Sequence, residues 1–376
     1  MFSVQLSYDI VPDAGETGDG GGNYLNPLIR ELAAIESEKS LQKAAQKTGV
    51  SYRYFWGQIE AWEKKFGQKL VVREQGRPAK LSPLGEKLLW AERSVVARYA
   101  VQMEKMRAEL NSALAAACDP HADIIRVAGC FDSWLSTLPA HLFPQGVILD
   151  LQFSTSAEGL KSLAAGACDI AGFNFPRMSP EEASASSAAE AFAPLIDPAR
   201  TSMCRFSSRM QGLAVAKGNP FGIRSVSDIA AKGLRYVGRG KGTGTEVLLN
   251  DLCRKEGVSR SSIRQTAAEV SHDAVATCVA SGRADAGLCV ETAARRAGAD
   301  FVPLSQEDYF LIWRRDSDSS SLGKLLATLR SQEWRSTAQQ FAGVSSESCG
   351  EMLEPESLGW WKNDDVKRFS KERFFF

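Results

Sequence analysis

Within eight residues, Ser51, Tyr52, Arg53, Tyr54 and Gln58 bring together a hydroxyl, two phenols, a guanidinium and an amide. Such groups can pair with base edges in the major groove of DNA, Arg with guanine and Gln with adenine. Arg73, Arg77 and Lys80 follow around the turn-forming stretch Gln75-Gly76-Arg77-Pro78. There they suit phosphates or a minor groove, or equally a plain solvated hairpin. A second set lies at strand-to-helix junctions: Asp132-Ser133, Ser154-Thr155-Ser156 and Gly242-Thr243-Gly244-Thr245. Hydroxyls and backbone N–H groups at a helix start can hold a small polar or anionic ligand. His272, at another helix start, could be a ligand donor or merely a capping or exposed histidine. The glycine loop lacks the Gly-Lys-Ser/Thr ending of a Walker loop and the spacing of a dinucleotide fingerprint. His121 and His141 have no partners at metal-ligand spacing. With no nucleophile–base pair and no cofactor motif, the expectation is a non-enzyme without metal or cofactor.

The first set needs a platform. Asn26-Pro27 opens a helix with Leu28, Leu32 and Ile35 on its inner face. Ala44 and Ala45 are small enough for a close helix crossing, and Gly49 supplies the sharp turn. Ser51 caps the next helix, whose inward stripe reads Phe55, Ile59 and Trp62 and which leaves Tyr52, Arg53, Tyr54 and Gln58 free to face outward. A short strand Lys69–Arg73 and a return strand Ala79–Ser82 complete a winged helix-turn-helix over 24–83.

Leu84 to Leu114 reads as one long helix. Leu89, Val96, Met103 and Leu110 fall seven apart, and Tyr99, Met106 and Ala113 fill the second heptad position, with Glu92 as the one break. Such a stripe is a coiled-coil seam that would pair two chains, although it could also pack on its own domain. Two recognition helices would then meet two half-sites.

The chain's 45 Lys+Arg balance its 45 Asp+Glu. Residues 24–115 nonetheless hold 16 basic and 10 acidic residues, so the basic part is the helix-turn-helix part. Eight scattered cysteines without a Cys-x-x-Cys pair read as buried small hydrophobes in a reducing cytosol. Residues 1–23 read as a disordered leader, not a signal peptide, and 362–376 as a tail. No apolar run is long enough for a membrane span.

From Ile124 onward, apolar strands alternate with helices, which implies a mostly parallel sheet with ligands outside the strand C-termini. The strands expected are Ile124–Gly129, Val147–Phe153, Asp169–Phe173, Gln211–Ala216 and Leu234–Gly238. Helices are expected at Ala157–Ala165, Val247–Lys255 and Ala274–Ser281.

Residues 24–114 resemble the DNA-binding half of LysR-type and ModE-type bacterial regulators. The segments that carry the likeness are Ser51-Tyr52-Arg53-Tyr54-Phe55-Trp56-Gly57-Gln58-Ile59, Leu70-Val71-Val72-Arg73 and Leu81-Ser82-Pro83-Leu84-Gly85-Glu86-Lys87-Leu88-Leu89. The Ser-Tyr-Arg-x-x-Trp run is closer to the ModE type. Residues 124–361 resemble the periplasmic-binding-protein-like domain found fused to such modules, through Ala164-Ala165-Gly166-Ala167-Cys168-Asp169-Ile170-Ala171-Gly172, the Gly-Thr-Gly-Thr loop, Ser281-Gly282-Arg283-Ala284-Asp285-Ala286-Gly287-Leu288 and Asp300-Phe301-Val302-Pro303-Leu304. The resemblance implies two lobes, a hinge and a ligand in the cleft; related free-standing proteins bind molybdate or tungstate. Two departures stand out. Cys130-Phe131-Asp132 replaces a common Ser-His-Asp, and Glu246 stands after the Gly-Thr pair where Arg is common. An acid in place of a cation should weaken anion binding.

The expectation is thus a cytoplasmic, dimeric or tetrameric regulator with helix 84–117 as its dimerising linker. It would bind double-stranded operator DNA and sense a small polar or oxyanion effector. The alternative is a ligand-binding protein whose helix-turn-helix makes protein contacts.

Overall fold

The computed structural model describes residues 26–74, 77–118, 123–317 and 320–361. The expected leader, the tail, Gln75, Gly76 and His121 lie outside these. The chain forms two compact units, Met1–Leu89 and Trp90–Phe376.

In the first unit, α1 (Pro27–Glu38), α2 (Leu41–Lys47) and α3 (Tyr52–Phe66) surround a core of Leu32, Ile35, Phe55, Ile59 and Leu70. Asn26 caps α1 by accepting from the Leu28 N–H at 3.0 Å. Gly49 turns the chain between α2 and α3 with φ +73°, a left-handed conformation that a Cβ would strain. The Ser51 hydroxyl accepts from the Tyr54 N–H at 3.2 Å. The hairpin is shorter than expected: β1 (Val71–Val72) pairs antiparallel with β2 (Lys80–Leu81).

The inward stripe of α3 differs from the expected one. Trp62 is half-buried, and the third inward position is Glu63. Its carboxylate accepts from the backbone N–H groups of Leu70 (2.9 Å) and Val71 (3.3 Å) and pairs with Lys69 at 2.6 Å. A charge is tolerated inside because it satisfies strand donors that would otherwise be buried unpaired.

The long helix α4 spans Pro83–Cys118. Leu89 belongs to the first unit's core rather than to a seam. Farther along, inside the second unit, Ala97 and Glu104 are buried and Val101 packs on that unit's core. The Ser271 hydroxyl donates to the Ala97 carbonyl at 2.8 Å. Val95, Tyr99, Met106, Leu110 and Leu114 stay exposed.

The second unit is one sheet of β3 (Asp123–Gly129), β4 (Val147–Phe153), β5 (Ile170–Pro176), β6 (Thr201–Val215), β7 (Tyr236–Arg239), β8 (Gln265–Glu269), β9 (Ala286–Val290), β10 (Asp300–Arg314) and two short strands, β11 (Val344–Ser345) and β12 (Met352–Leu353). The order is β4-β3-β5-β10-β6-β9-β7-β8, with β11 and β12 also paired to β6. Parallel pairs join β4, β3 and β5 on one side and β9, β7 and β8 on the other. Between them run the antiparallel β6 and β10, 15 residues each. Two lobes therefore share two long strands, and β10 slips register at Pro303/Ser305 and Tyr309/Phe310. The first lobe is filled by Trp134 stacked on Trp334 with centroids 4.7 Å apart, beside Phe206 and Tyr309. Seven of the eight cysteines are buried, and Cys118 is exposed.

Candidate functional site

At the start of α3, Tyr52, Arg53 and Tyr54 are exposed, whereas Gln58 is half-buried, less free than its sequence position suggests. A groove between the α1–α2 turn, the start of α3 and the hairpin is lined by Lys39, Gln42, Tyr52, Arg73, Glu74 and Arg77. Lys80 is exposed on β2 outside that lining. The Arg73 guanidinium stands 5.0 Å over the Trp56 ring, which orients it without neutralising it. Arg77 pairs with Glu74, so part of the wing's positive charge is offset. The remaining donors suit phosphate and base contacts, as the outward end of a helix flanked by cations would.

In the second unit the three strand-to-helix junctions come together at the cleft between the lobes. The first helical residues are Ser156, Gly244 and His272, each one to three positions earlier than expected. Helix capping uses many of the predicted hydroxyls. Thr155 accepts from the Glu158 N–H at 3.2 Å and donates to its carboxylate at 2.9 Å. Thr243 accepts from the Glu246 N–H at 3.3 Å and donates to the Gly240 carbonyl at 2.8 Å. Ser156 is fully buried against Cys130, 3.2 Å away, and Thr245 is buried. Ser154 leans on the Thr155 carbonyl at 3.3 Å. Gly242 has φ +80°, and a Cβ there would lie 3.5 Å from the Thr155 hydroxyl. The two loops thus face each other across the cleft, one from each lobe.

Asp132, Ser133 and His272 line a cavity with Arg209, Asp273 and Arg296. The Asp132 carboxylate also caps the following turn, accepting from the Trp134 and Leu135 N–H groups at 2.9 Å each. Arg209 on β6 is the group that sequence reasoning missed. It is 3% exposed and donates from Nη1 to Asp132 at 2.7 Å and from Nε to Glu307 at 2.6 Å. Gln211 donates to the same Glu307 at 2.5 Å. Burial alone would lower the Arg209 pKa, but the Glu307 and Asp132 charges outweigh it and push it up. Arg239, at the end of β7, has the opposite balance. Burial pulls its pKa down, and the Arg209 charge adds to this. His272 is driven well below the usual histidine value by burial, then by Arg239 and Arg209, so it is neutral at pH 7. The signal for Arg209 was a cation and an amide, Arg209 and Gln211, two apart in a run of otherwise mostly apolar and small residues, Phe206–Val215. The cations nearest this site come from other elements, Arg209 on β6 and Arg239 on β7, and Arg209 is already paired with Asp132 and Glu307.

Among the described residues, the buried atoms left without a partner include Arg209 Nη2, Gln211 Oε1, Arg239 Nε, His272 Nδ1 and Asn174 Oδ1. Orphans gathered from both lobes and the shared strands are what a ligand site leaves open. Among those residues, no group of three or more His, Cys, Asp or Glu could hold a metal ion, and no helix is long and apolar enough to cross a membrane.

Residues 140–330 match the model of the PBP superfamily domain, and residues 28–86 match that of the bacterial regulatory helix-turn-helix protein, lysR family. A protein of Bacillus subtilis (strain 168), YvgK, described as uncharacterized, is 30% identical over 146 residues, or 39% of this chain. That match spans about half, 47%, of the relative's own length. Among solved structures, full-length BenM is 16% identical with a TM-score of 0.40, covering 84% of this chain and 98% of its own. Full-length CbnR in complex with its target DNA is 16% identical with a TM-score of 0.39, over 80% and 96%. The tungstate ABC transporter from Geobacter sulfurreducens is 15% identical with a TM-score of 0.46, over 58% and 98%. The chain belongs to the PBP superfamily and carries, over residues 28–86, a lysR-family helix-turn-helix.

Proposed function

We propose that the chain works as a dimer, reads an inverted-repeat operator through two copies of α3, and responds to a small polar or anionic effector held in the interlobe cleft. Arg53 and Gln58 read bases. Ser51, Tyr52, Tyr54, Arg73, Arg77 and Lys80 hold the backbone or a groove. In the cleft, Asp132, Ser133 and His272 contribute side chains, and the loops Ser154–Ser156 and Gly242–Thr245 contribute N–H groups. The observation that carries this reading is the exposed donor-bearing start of α3 beside a cationic wing, in a chain that also holds orphaned buried arginine and amide atoms in a cleft. An effector would act through its difference in affinity for two arrangements of the lobes.

The test is a binding titration at fixed salt with an operator fragment selected from genomic DNA and an unrelated duplex. Arg53→Ala should weaken operator binding by about 1–3 kcal/mol, the worth of one bidentate base contact, and unrelated DNA by much less. Equal losses on both would count against base reading, and no selected fragment at all would favour the protein-contact alternative.

A further inference from the structure

The donors and acceptors left open in the cleft restrict what can fill it. This step rests on the cleft being an effector site. Arg209 has committed Nε and Nη1 to Glu307 and Asp132, so Nη2 is its remaining buried donor group. Arg239 holds a second open donor, Nε; its Nη2 is engaged with the Val270 carbonyl at 2.9 Å. Both call for an acceptor, and guanidinium groups match planar carboxylates best.

Gln211 calls for the reverse. Its amide nitrogen is fixed by Glu307, whose carboxylate can only accept. Its orphaned oxygen, Oε1, therefore cannot exchange places with the nitrogen, and it needs a donor from the ligand. Charge points the same way. Arg209 pairs with Asp132 and Glu307, Arg296 pairs with Asp273 at 3.2 Å, and Arg239 feels the charges of Arg209, Asp273 and Glu307 at longer range. These three cations and three carboxylates carry equal numbers of each sign, so they have no surplus to neutralise a dianion.

We infer that the cleft selects a small carboxylate that carries its own hydrogen-bond donor, an amino or hydroxyl group, and rejects fully deprotonated tetrahedral dianions such as molybdate, tungstate and sulfate. The carboxylate lies on Arg209 and Arg239, and the donor reaches Gln211.

Calorimetric titration of the full chain decides this. One set of probes is the twenty proteinogenic amino acids with lactate and glycerate. The other is molybdate, tungstate and sulfate. At least one carboxylate should bind saturably, and the three dianions should not compete with it at tenfold excess. Gln211→Met keeps the side-chain volume and removes the acceptor, so it should weaken that carboxylate at least tenfold. Arg239→Met should do the same from the less buried side of the site. Thermal unfolding of both variants separates lost binding from lost folding. Tight binding of molybdate or tungstate, unchanged affinity in a folded Gln211→Met protein, or no saturable binding by either set would overturn the inference. Operator binding by the ligand-free protein, measured in parallel, keeps those outcomes distinct from failure of the regulator reading.

Discussion

Two buried carboxylates in the helix-turn-helix show how a single position sets its own chemistry. Glu63 is held by two strand N–H groups and Lys69, so it organises the start of the hairpin. Glu63→Ala leaves those amides buried and unpaired, at a cost of about 2–4 kcal/mol. Hydrogen exchange at the Leu70 and Val71 amides should speed up accordingly; unchanged exchange would remove Glu63 from that role. Glu31 is also buried, and its Oε2 has no partner among the described residues. Burial raises its pKa to about 7, with Arg30 pulling weakly the other way. The folded state then holds a proton that the unfolded chain releases between about pH 4.5 and 7. Stability is therefore fully present below pH 4.5 and falls as pH rises through 7. Glu31→Gln should flatten that slope and leave the variant more stable than the parent at pH 8 and close to it at pH 4.5. Denaturant midpoints across the range check this, and a parallel slope in the variant would refute it.

At the scale of elements, α4 divides its length among different neighbours. Its start belongs to the first core, its middle packs Ala97 and Val101 inside the second unit, and an apolar row from Val95 to Leu114 remains exposed. Helical positions on such a row lie on one face, and leaving them in water is unfavourable. Replacing Met106 and Leu110 together by Glu should halve the mass measured by light scattering at micromolar concentration. Operator affinity should fall with it, because two half-sites can no longer be bound by one assembly. An unchanged mass would show that the row is not the seam.

At the scale of the whole molecule, the shared strands β6 and β10 do more than link two lobes. They place Arg209, Gln211 and Glu307 where loops from both lobes end. A ligand held there touches both lobes at once, so it should stabilise the second unit as a single body. At a concentration one hundred times its Kd, the gain is about 2.7 kcal/mol, read as a shift of that unit's calorimetric transition. A ligand that binds and leaves the transition unmoved would lie elsewhere than the interlobe cleft.

Local rules carried the sequence reading far. Asn26, Gly49 and Ser51 each act through a conformation or a cap within a few residues, so they could be read directly. The alternation of strands and helices was likewise legible because periodicity is a property of the chain alone. What remained hidden depended on partners distant in sequence. Arg209 meets Asp132 77 positions away and Glu307 98 positions away. Glu63 acquires its role only when Leu70 and Val71 come beside it, and Thr155 and Thr243 read as free hydroxyls until their helices begin. Charge pairing and capping are settled by which atoms meet in space, and only the tertiary structure decides that.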